Sequence, residues 1–237
     1  MIAELKKVDT KADICAIPIP KQTSTYKPIP YCDLINYTLD AAAEQGLILK
    51  NEVYKTANDG MIVSAYYDFE YGDDPELGLR IAWQNSYNKK VSLKFAIGAH
   101  VFVCSNGACF GDIANFKKKH VGDVQTVTPE IIREYIATAK TVYNSLVEMK
   151  TLLKGISLTK RQVSSVVGDL YLHLDLLKET QIAIIKKEIA NPSCDYNAPD
   201  SAWELYNHIT FALRDIHPSL YIDTHIGVND YFKKRFL

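Results

Sequence analysis

Residues 77–111 read LGLRIAWQNSYNKKVSLKFAIGAHVFVCSNGACFG, and apolar and polar side chains alternate along two segments of this stretch. Leu79–Ser86 and Val91–Val103 each alternate with a period of two, which is typical of half-buried strands. Tyr87–Lys90 between them has the composition of a turn, and Asn106-Gly107 is a second turn signal. The stretch therefore predicts an antiparallel hairpin.

The alternation sorts the hairpin into two faces, because successive strand residues point in opposite directions. One face is apolar and is predicted to be core: Leu79, Ile81, Trp83, Val91, Leu93, Phe95, Ile97 and Val101. The other face carries hydrogen-bond donors and no acidic side chain: Arg80, Gln84, Ser86, Ser92, Lys94 and His100. This second face is either the solvated side of a half-buried sheet or a surface that meets an anionic ligand.

Further elements surround the hairpin. The patterns predict a helix over Pro30–Gln45, strands over Leu47–Thr56 and Met61–Glu70 around an Asn58-Asp59-Gly60 turn, a long helix from Thr128 as N-cap to Gly155, a helix from Leu158 through Leu177, a helix over Glu179–Ala190, and a helix from a Ser201/Glu204 capping box to Ile216. The Asp223 and His225 region is interpreted as a polar turn.

Together these elements predict an α+β fold, in which an antiparallel sheet of about four or more strands packs on a helix and a mostly helical C-terminal half follows. We divide the chain into an extended N-terminal arm (1–30), an α+β sheet domain (31–125) and a helical region (126–237) that packs on the sheet domain as one compact unit. The arm is rich in proline, which blocks helices and central strands. It lies over its own subunit or docks on a neighbour.

The composition is that of an ordinary globular protein, with 237 residues, 47% hydrophobic and 23% charged. A net charge of -1 excludes a protein that coats nucleic acid by overall charge, so any such site is a local patch. Five scattered cysteines predict no disulfide framework. The sequence has no apolar run long enough for a membrane span and no signal-peptide pattern. We therefore expect a reduced, cytoplasmic protein.

Metal and catalytic signals are weak. His100, Cys104, Cys109 and His120 have ligand chemistry, but their spacing is not that of a standard zinc site. The sequence contains no phosphate-binding glycine loop and no recognisable hydrolase or protease motif. We therefore expect no metal, no cofactor and no enzymatic activity.

A family resemblance rests on the central stretch. Asn85-Ser86-Tyr87, then Phe95–Gly107 ending V-C-S-N-G, then Phe110-Gly111, resembles the signature of a phage- and plasmid-encoded family of unknown function. Lys117–His120 and the W-E-L-Y-N-H-I-T run at 203–210 are similar to two further elements of that family. The resemblance spans roughly residues 28 to 215 and departs from the pattern at Asn88. This resemblance implies a role in nucleic-acid metabolism or host takeover. The chain is also more distantly similar to phage single-stranded-DNA-binding proteins that act as transcription cofactors.

The sequence thus predicts a phage-type protein that binds single-stranded DNA without sequence preference in replication, recombination or transcription. If the Met61–Glu70 strand joins the hairpin, an aromatic ring lies among cations, as single-strand binding requires. The predicted contact residues are Tyr66, Arg80, Lys89, Lys90, Lys94, Lys117, Lys118 and Lys119. We expect a homo-oligomer in the host cytoplasm that also contacts an RNA polymerase or another replication or transcription protein. The alternatives are a protein–protein module that binds a host enzyme or RNA polymerase, and an enzyme without a recognisable motif.

Overall fold

The computed structural model describes residues 9–101, 106–109, 115–193 and 200–237. Within these residues, six strands form one sheet in the order β1-β2-β3-β4-β5, with β6 also paired to β4. The strands are β1 Ile48–Ala57, β2 Ile62–Glu70, β3 Leu77–Ser86, β4 Leu93–Val101, β5 Asn106–Cys109 and β6 Asn115–Lys118. All pairings are antiparallel, and β5 and β6 pair with successive halves of β4.

Eight α-helices and one π-helical turn lie in the same described ranges. The helices are α1 Lys11–Cys15, α2 Tyr31–Glu44, α3 Val124–Ala137, α4 Ala139–Lys154, α5 Lys160–Gly168, α6 Glu179–Ala190, α7 Ala202–Ala212 and α8 Tyr221–Phe236, and the π-helical turn is Asp169–His173. The predicted α+β fold with a helical C-terminal half is confirmed. The Ser201/Glu204 capping box at the start of α7 is also confirmed.

The central hairpin is formed by β3 and β4, as the alternation predicts. Trp83 pairs with Phe95 and Ile81 with Ile97. Trp83 is fully buried, at 0% exposure, and its Nε1 donates to the Tyr67 hydroxyl at 3.2 Å. The second turn signal was misread, because Asn106 and Gly107 lie in β5 and pair with β4.

Helices cover both faces of the sheet. On the apolar face, the Tyr31 ring of α2 stacks 6.3 Å from the Trp83 ring, and the Tyr143 hydroxyl of α4 donates to the Leu77 carbonyl at 3.1 Å. On the opposite face, α8 contacts β3 and β4. The polar face of the hairpin is therefore an interior layer of the protein.

Helices α3 and α4 correct one prediction. The helix expected to start at Thr128 begins at Val124, so Pro129 lies inside it. Thr128 is buried and its hydroxyl donates to the Val124 carbonyl, instead of capping a helix end. The predicted single helix also breaks at Thr138, which separates α3 from α4.

The described part of the N-terminal arm, residues 9–30, lies along its own subunit. It contains the short helix α1, and a disulfide joins Cys15 to Cys32 at the start of α2, with the two Cα atoms 4.8 Å apart. Tyr26 and Ile29 are buried. The expectation of fully reduced cysteines is therefore wrong for this pair, whose spacing in sequence carries no recognisable disulfide pattern.

Helix α8 is the main element that the sequence interpretation missed. Asp223 and His225 lie on it, not in a turn. Its buried side chains recur at helical spacing: Tyr221, Ile222, Thr224, His225, Val228, Asn229 and Phe232. Polar residues interrupt this apolar stripe, which made it hard to recognise.

Candidate nucleic-acid interface

Five predicted lysines converge at one end of the sheet. Lys89 and Lys90 lie in the β3–β4 turn, and Lys117–Lys119 lie on and just after β6. Because Leu93 pairs with Lys118 and Lys94 with Lys117, the turn and the end of β6 lie side by side. We call these five residues the basic margin.

The side chains of the basic margin are available to a ligand. Lys89, Lys90, Lys117 and Lys119 are exposed, and Lys118 is half-buried. None of the five forms a salt bridge with another residue that the structure describes. The margin is therefore a local positive patch on a protein whose net charge is -1.

A small pocket of about 220 Å³ opens within the margin, with Thr25, Ser92, Lys89 and Lys119 among the residues around it. The Lys89 ammonium lies 4.6 Å from the centre of the Tyr26 ring, which is a cation–π contact. Lys89 also has a φ of +64°, an uncommon conformation for a residue with a side chain. Lysine and hydroxyl groups around a small pocket are suited to an anion.

The wall of this pocket is held in place from the interior. The Tyr26 hydroxyl donates to the Tyr87 carbonyl at 2.9 Å, and the Lys27 backbone N–H donates to the His120 carbonyl at 2.8 Å. The His120 ring meets the Tyr26 ring edge-on at 5.7 Å. Burial lowers the pKa of His120, an effect partly offset by the backbone of Val91 and Lys27. His120 is therefore a neutral wall residue at pH 7, and the positive charge comes from the lysines.

The other three predicted contact residues have a different environment. Tyr66, Arg80 and Lys94 share one sheet face, as predicted. Helix α8 covers that face, however, and Arg80 is only 3% exposed. Lys94 forms an ion pair with Asp223 of α8. Arg80 and Lys94 are therefore buried and do not form the accessible surface that the sequence predicts, while Tyr66 is half-buried.

Arg80 is the centre of a buried ion-pair cluster. Its Nε and Nη2 donate to the two carboxylate oxygens of Asp68 at 2.5 and 2.9 Å, and its Nη1 donates to the Tyr221 hydroxyl at 3.2 Å. The guanidinium lies 4.0 Å from the centre of the Tyr66 ring. Burial would lower the pKa of Arg80, but Tyr221 and Asp68 raise it on balance. The cluster keeps a charged arginine in the interior.

His225 lies next to this cluster and is fully buried. Its ring is 4.6 Å from the Tyr221 ring, and neither ring nitrogen forms a hydrogen bond with a described residue. Burial lowers the pKa of His225 to about 3, with further contributions from Arg80 and Lys55. The histidine is therefore neutral at pH 7.

Sequence reasoning placed Asp68 on the same strand face as Tyr66 but missed its ion pair with Arg80. Asp68 and Asp223 were visible as acidic residues, but only the structure shows that they neutralise Arg80 and Lys94. The available signal was the helical spacing of α8, which brings Tyr221, Asp223 and His225 over the sheet. A polar sheet face and an amphipathic helix in the same chain together indicate a buried polar interface.

The metal prediction stays open. Within the described part of the chain, no group of three or more His, Cys, Asp or Glu side chains is placed to hold a metal ion. The side chains of His100, Cys104 and Cys109 lie outside the residues that the structure describes. The expectation of a zinc-free protein therefore remains a prediction.

Comparison with known proteins identifies no relative. No protein-family model, no curated protein and no solved structure matches this chain. Among the described residues, no helix is both long and apolar enough to cross a membrane.

Proposed function

We propose that the protein binds single-stranded DNA without strong sequence preference, and that the basic margin is the surface that contacts the strand. The observation that carries this proposal is the convergence of Lys89 and Lys90 with Lys117–Lys119 at one end of the sheet. These lysines meet no acidic partner among the described residues, so their charge is available to phosphates.

The lysines provide affinity rather than sequence recognition. A lysine ammonium meets a phosphate as a point charge and carries no information about the base. Each phosphate that is neutralised releases condensed counterions, so binding weakens steeply as salt rises. A flexible single strand can bring successive phosphates onto a compact patch, whereas a duplex is stiff over roughly 150 base pairs.

Base stacking contributes less than the sequence predicts. Tyr66 is packed between Arg80 and Tyr221. Tyr26 is buried, and only the part of its ring that lines the small pocket can contact a ligand. Each stacked base is typically worth about 1–3 kcal/mol. Without a fully exposed ring on the margin, we expect moderate affinity that depends mainly on phosphate contacts. Oligomers that cover the strand would add cooperativity.

The test is a titration of labelled oligo(dT) by fluorescence anisotropy at several salt concentrations. Lys89→Ala/Lys90→Ala and Lys117→Ala/Lys119→Ala should each weaken binding and flatten the salt dependence. The matched control is Lys186→Ala/Lys187→Ala, which removes two exposed lysines from α6 and should bind as the parent does.

Two outcomes overturn the proposal. If the parent does not bind oligo(dT) at low salt, the alternative of a protein–protein module that binds a host enzyme or RNA polymerase becomes the better reading. If the margin variants and the control lose affinity equally, binding reflects general charge rather than this surface. Analytical ultracentrifugation of the complex then tests the expected oligomer.

A further inference from the structure

A second cavity lies far from the basic margin in sequence, between the π-helical turn and the outer side of α8. Its volume is about 740 Å³, within the range of about 300–1,000 Å³ that is typical of small-molecule sites. The wide turn lines it: the Leu174 backbone N–H donates to the Asp169 carbonyl at 3.0 Å, five residues back instead of four. π-helical turns of this kind are frequent at functional sites.

The floor of this cavity, which we call the α8 cleft, is lined by apolar side chains. Leu174, Leu176 and Tyr231 are among the residues that line it. Leu176 approaches α8 at Gly227, where an added Cβ would come within 2.7 Å of the Leu176 Cδ2. Gly227 therefore allows Leu176 to pack closely against α8 where both residues line the cleft.

The rim of the α8 cleft is charged. Lys234 and Arg235 lie in the last turn of α8 and form no salt bridge with the residues described in the structure. Asp230 lies one turn earlier and also borders the cleft. The Tyr231 hydroxyl donates to the Asp169 carboxylate at 2.7 Å, which fixes the aromatic wall.

We propose that the α8 cleft binds a nucleoside phosphate. The phosphate meets Lys234 and Arg235, of which the arginine can form paired hydrogen bonds with phosphate oxygens. The planar base packs on Leu174, Leu176 and the Tyr231 ring. The Asp230 carboxylate accepts a hydrogen bond from a ribose hydroxyl, as acidic residues do in known nucleotide sites.

The mixed character of the cleft favours this ligand class over simpler anions. Inorganic phosphate would leave the apolar floor unused. An aliphatic carboxylate has no planar group to pack against the Tyr231 ring. A nucleoside phosphate combines an apolar face, hydroxyl donors and an anionic end, so it matches the three parts of the cleft.

The test is isothermal titration calorimetry of the full chain with AMP, adenosine and inorganic phosphate as separate probes. We expect AMP to saturate one site per chain and to bind at least about tenfold more tightly than either adenosine or inorganic phosphate. Lys234→Ala/Arg235→Ala should weaken AMP binding by about tenfold or more, and Lys186→Ala/Lys187→Ala should leave it unchanged. Circular dichroism checks that each variant is folded.

A second variant tests the same proposal if the double substitution unfolds the end of α8. Leu174 is 47% exposed, so Leu174→Ser should leave the fold intact and still weaken AMP binding. The proposal is overturned if the parent shows no saturable AMP binding up to about 10 mM, if phosphate binds as tightly as AMP, or if both cleft variants bind AMP as the parent does. Oligo(dT) binding at the basic margin is measured separately, so the two proposals stand or fall independently.

Discussion

Two groups of cations in this protein have the same chemistry and opposite environments. Arg80 and Lys94 lie on the sheet face under α8, where Asp68 and Asp223 neutralise them. Lys89, Lys90 and Lys117–Lys119 lie at the end of the same sheet, where four of them are exposed and none meets an acidic partner among the described residues. The difference shows that the helix covering a strand decides whether its cations are neutralised in the interior or remain exposed.

The largest expected effect comes from breaking the buried ion pair. Arg80→Ala should reduce the free energy of unfolding by about 3–5 kcal/mol, because it leaves Asp68 in the interior without its guanidinium partner. Urea denaturation measures this change. The double variant Arg80→Met/Asp68→Leu should recover much of the loss, since it removes both charges. An Arg80→Ala protein as stable as the parent would show that α8 does not cover this face.

Removing the disulfide tests the other region, because the N-terminal arm forms one wall of the pocket in the basic margin. The bond spans 17 residues of sequence, a loop for which chain entropy predicts about 3 kcal/mol. Cys15→Ser/Cys32→Ser should lower stability by up to that amount and speed hydrogen exchange at residues 23–27 more than in β3. The parent should respond to dithiothreitol in the same way. If hydrogen exchange speeds up equally at residues 23–27 and in β3, the disulfide does not hold this part of the arm against the basic margin.

Acidification should destabilise the buried face. The pKa of His225 is about 3 in the folded protein and near 6.5 in an unfolded chain. The unfolded chain therefore takes up a proton between these values that the folded protein does not, and stability falls as pH drops below 6.5. The expected loss is about 2 kcal/mol at pH 5.

Urea denaturation at pH 7 and pH 5 measures this loss, and His225→Leu serves as the control that lacks the titrating ring. The variant should lose about 2 kcal/mol less than the parent on acidification. Identical pH responses of parent and variant would mean that His225 is not held neutral in the interior on the buried face of α8.

The smallest expected change in stability belongs to the basic margin. Lys89→Ala/Lys90→Ala should alter the free energy of unfolding by no more than about 0.5 kcal/mol, because both side chains are exposed. The same variant should reduce the log–log salt slope of oligo(dT) binding by about 1.4, two contacts at about 0.7 each. Lys94→Met, on the buried face, should leave that slope unchanged. If the salt slope changes for Lys94→Met but not for Lys89→Ala/Lys90→Ala, the phosphates contact the face under α8 and not the basic margin.

The sequence predicted the hairpin and its core well, because a period of two in residues 79–101 has one structural meaning. Trp83 and Phe95 follow directly from that alternation. It also placed Tyr66, Arg80 and Lys94 on one face. It could not show what lies on that face, because the covering element is more than 110 residues further along the chain and carries a mixed apolar and polar stripe.

The remaining differences have local causes. Thr128-Pro129 has the composition of a helix start, but the Thr128 hydroxyl bonds to a carbonyl within a helix that already began at Val124. Cys15 and Cys32 become neighbours only when α1 folds against α2. The convergence of the β3–β4 turn with β6 depends on strand pairing across a segment whose register the sequence does not specify.

The most direct test of the central claim is photo-crosslinking to oligo(dT) that contains 4-thiothymidine, followed by mapping of the crosslinked peptides. If the basic margin binds the strand, crosslinks should fall in residues 87–92 and 116–121 and disappear at high salt. They should be reduced in Lys89→Ala/Lys90→Ala and unchanged in Lys186→Ala/Lys187→Ala. Crosslinks that map to peptides outside the margin, or that persist in the margin variant, would contradict the account.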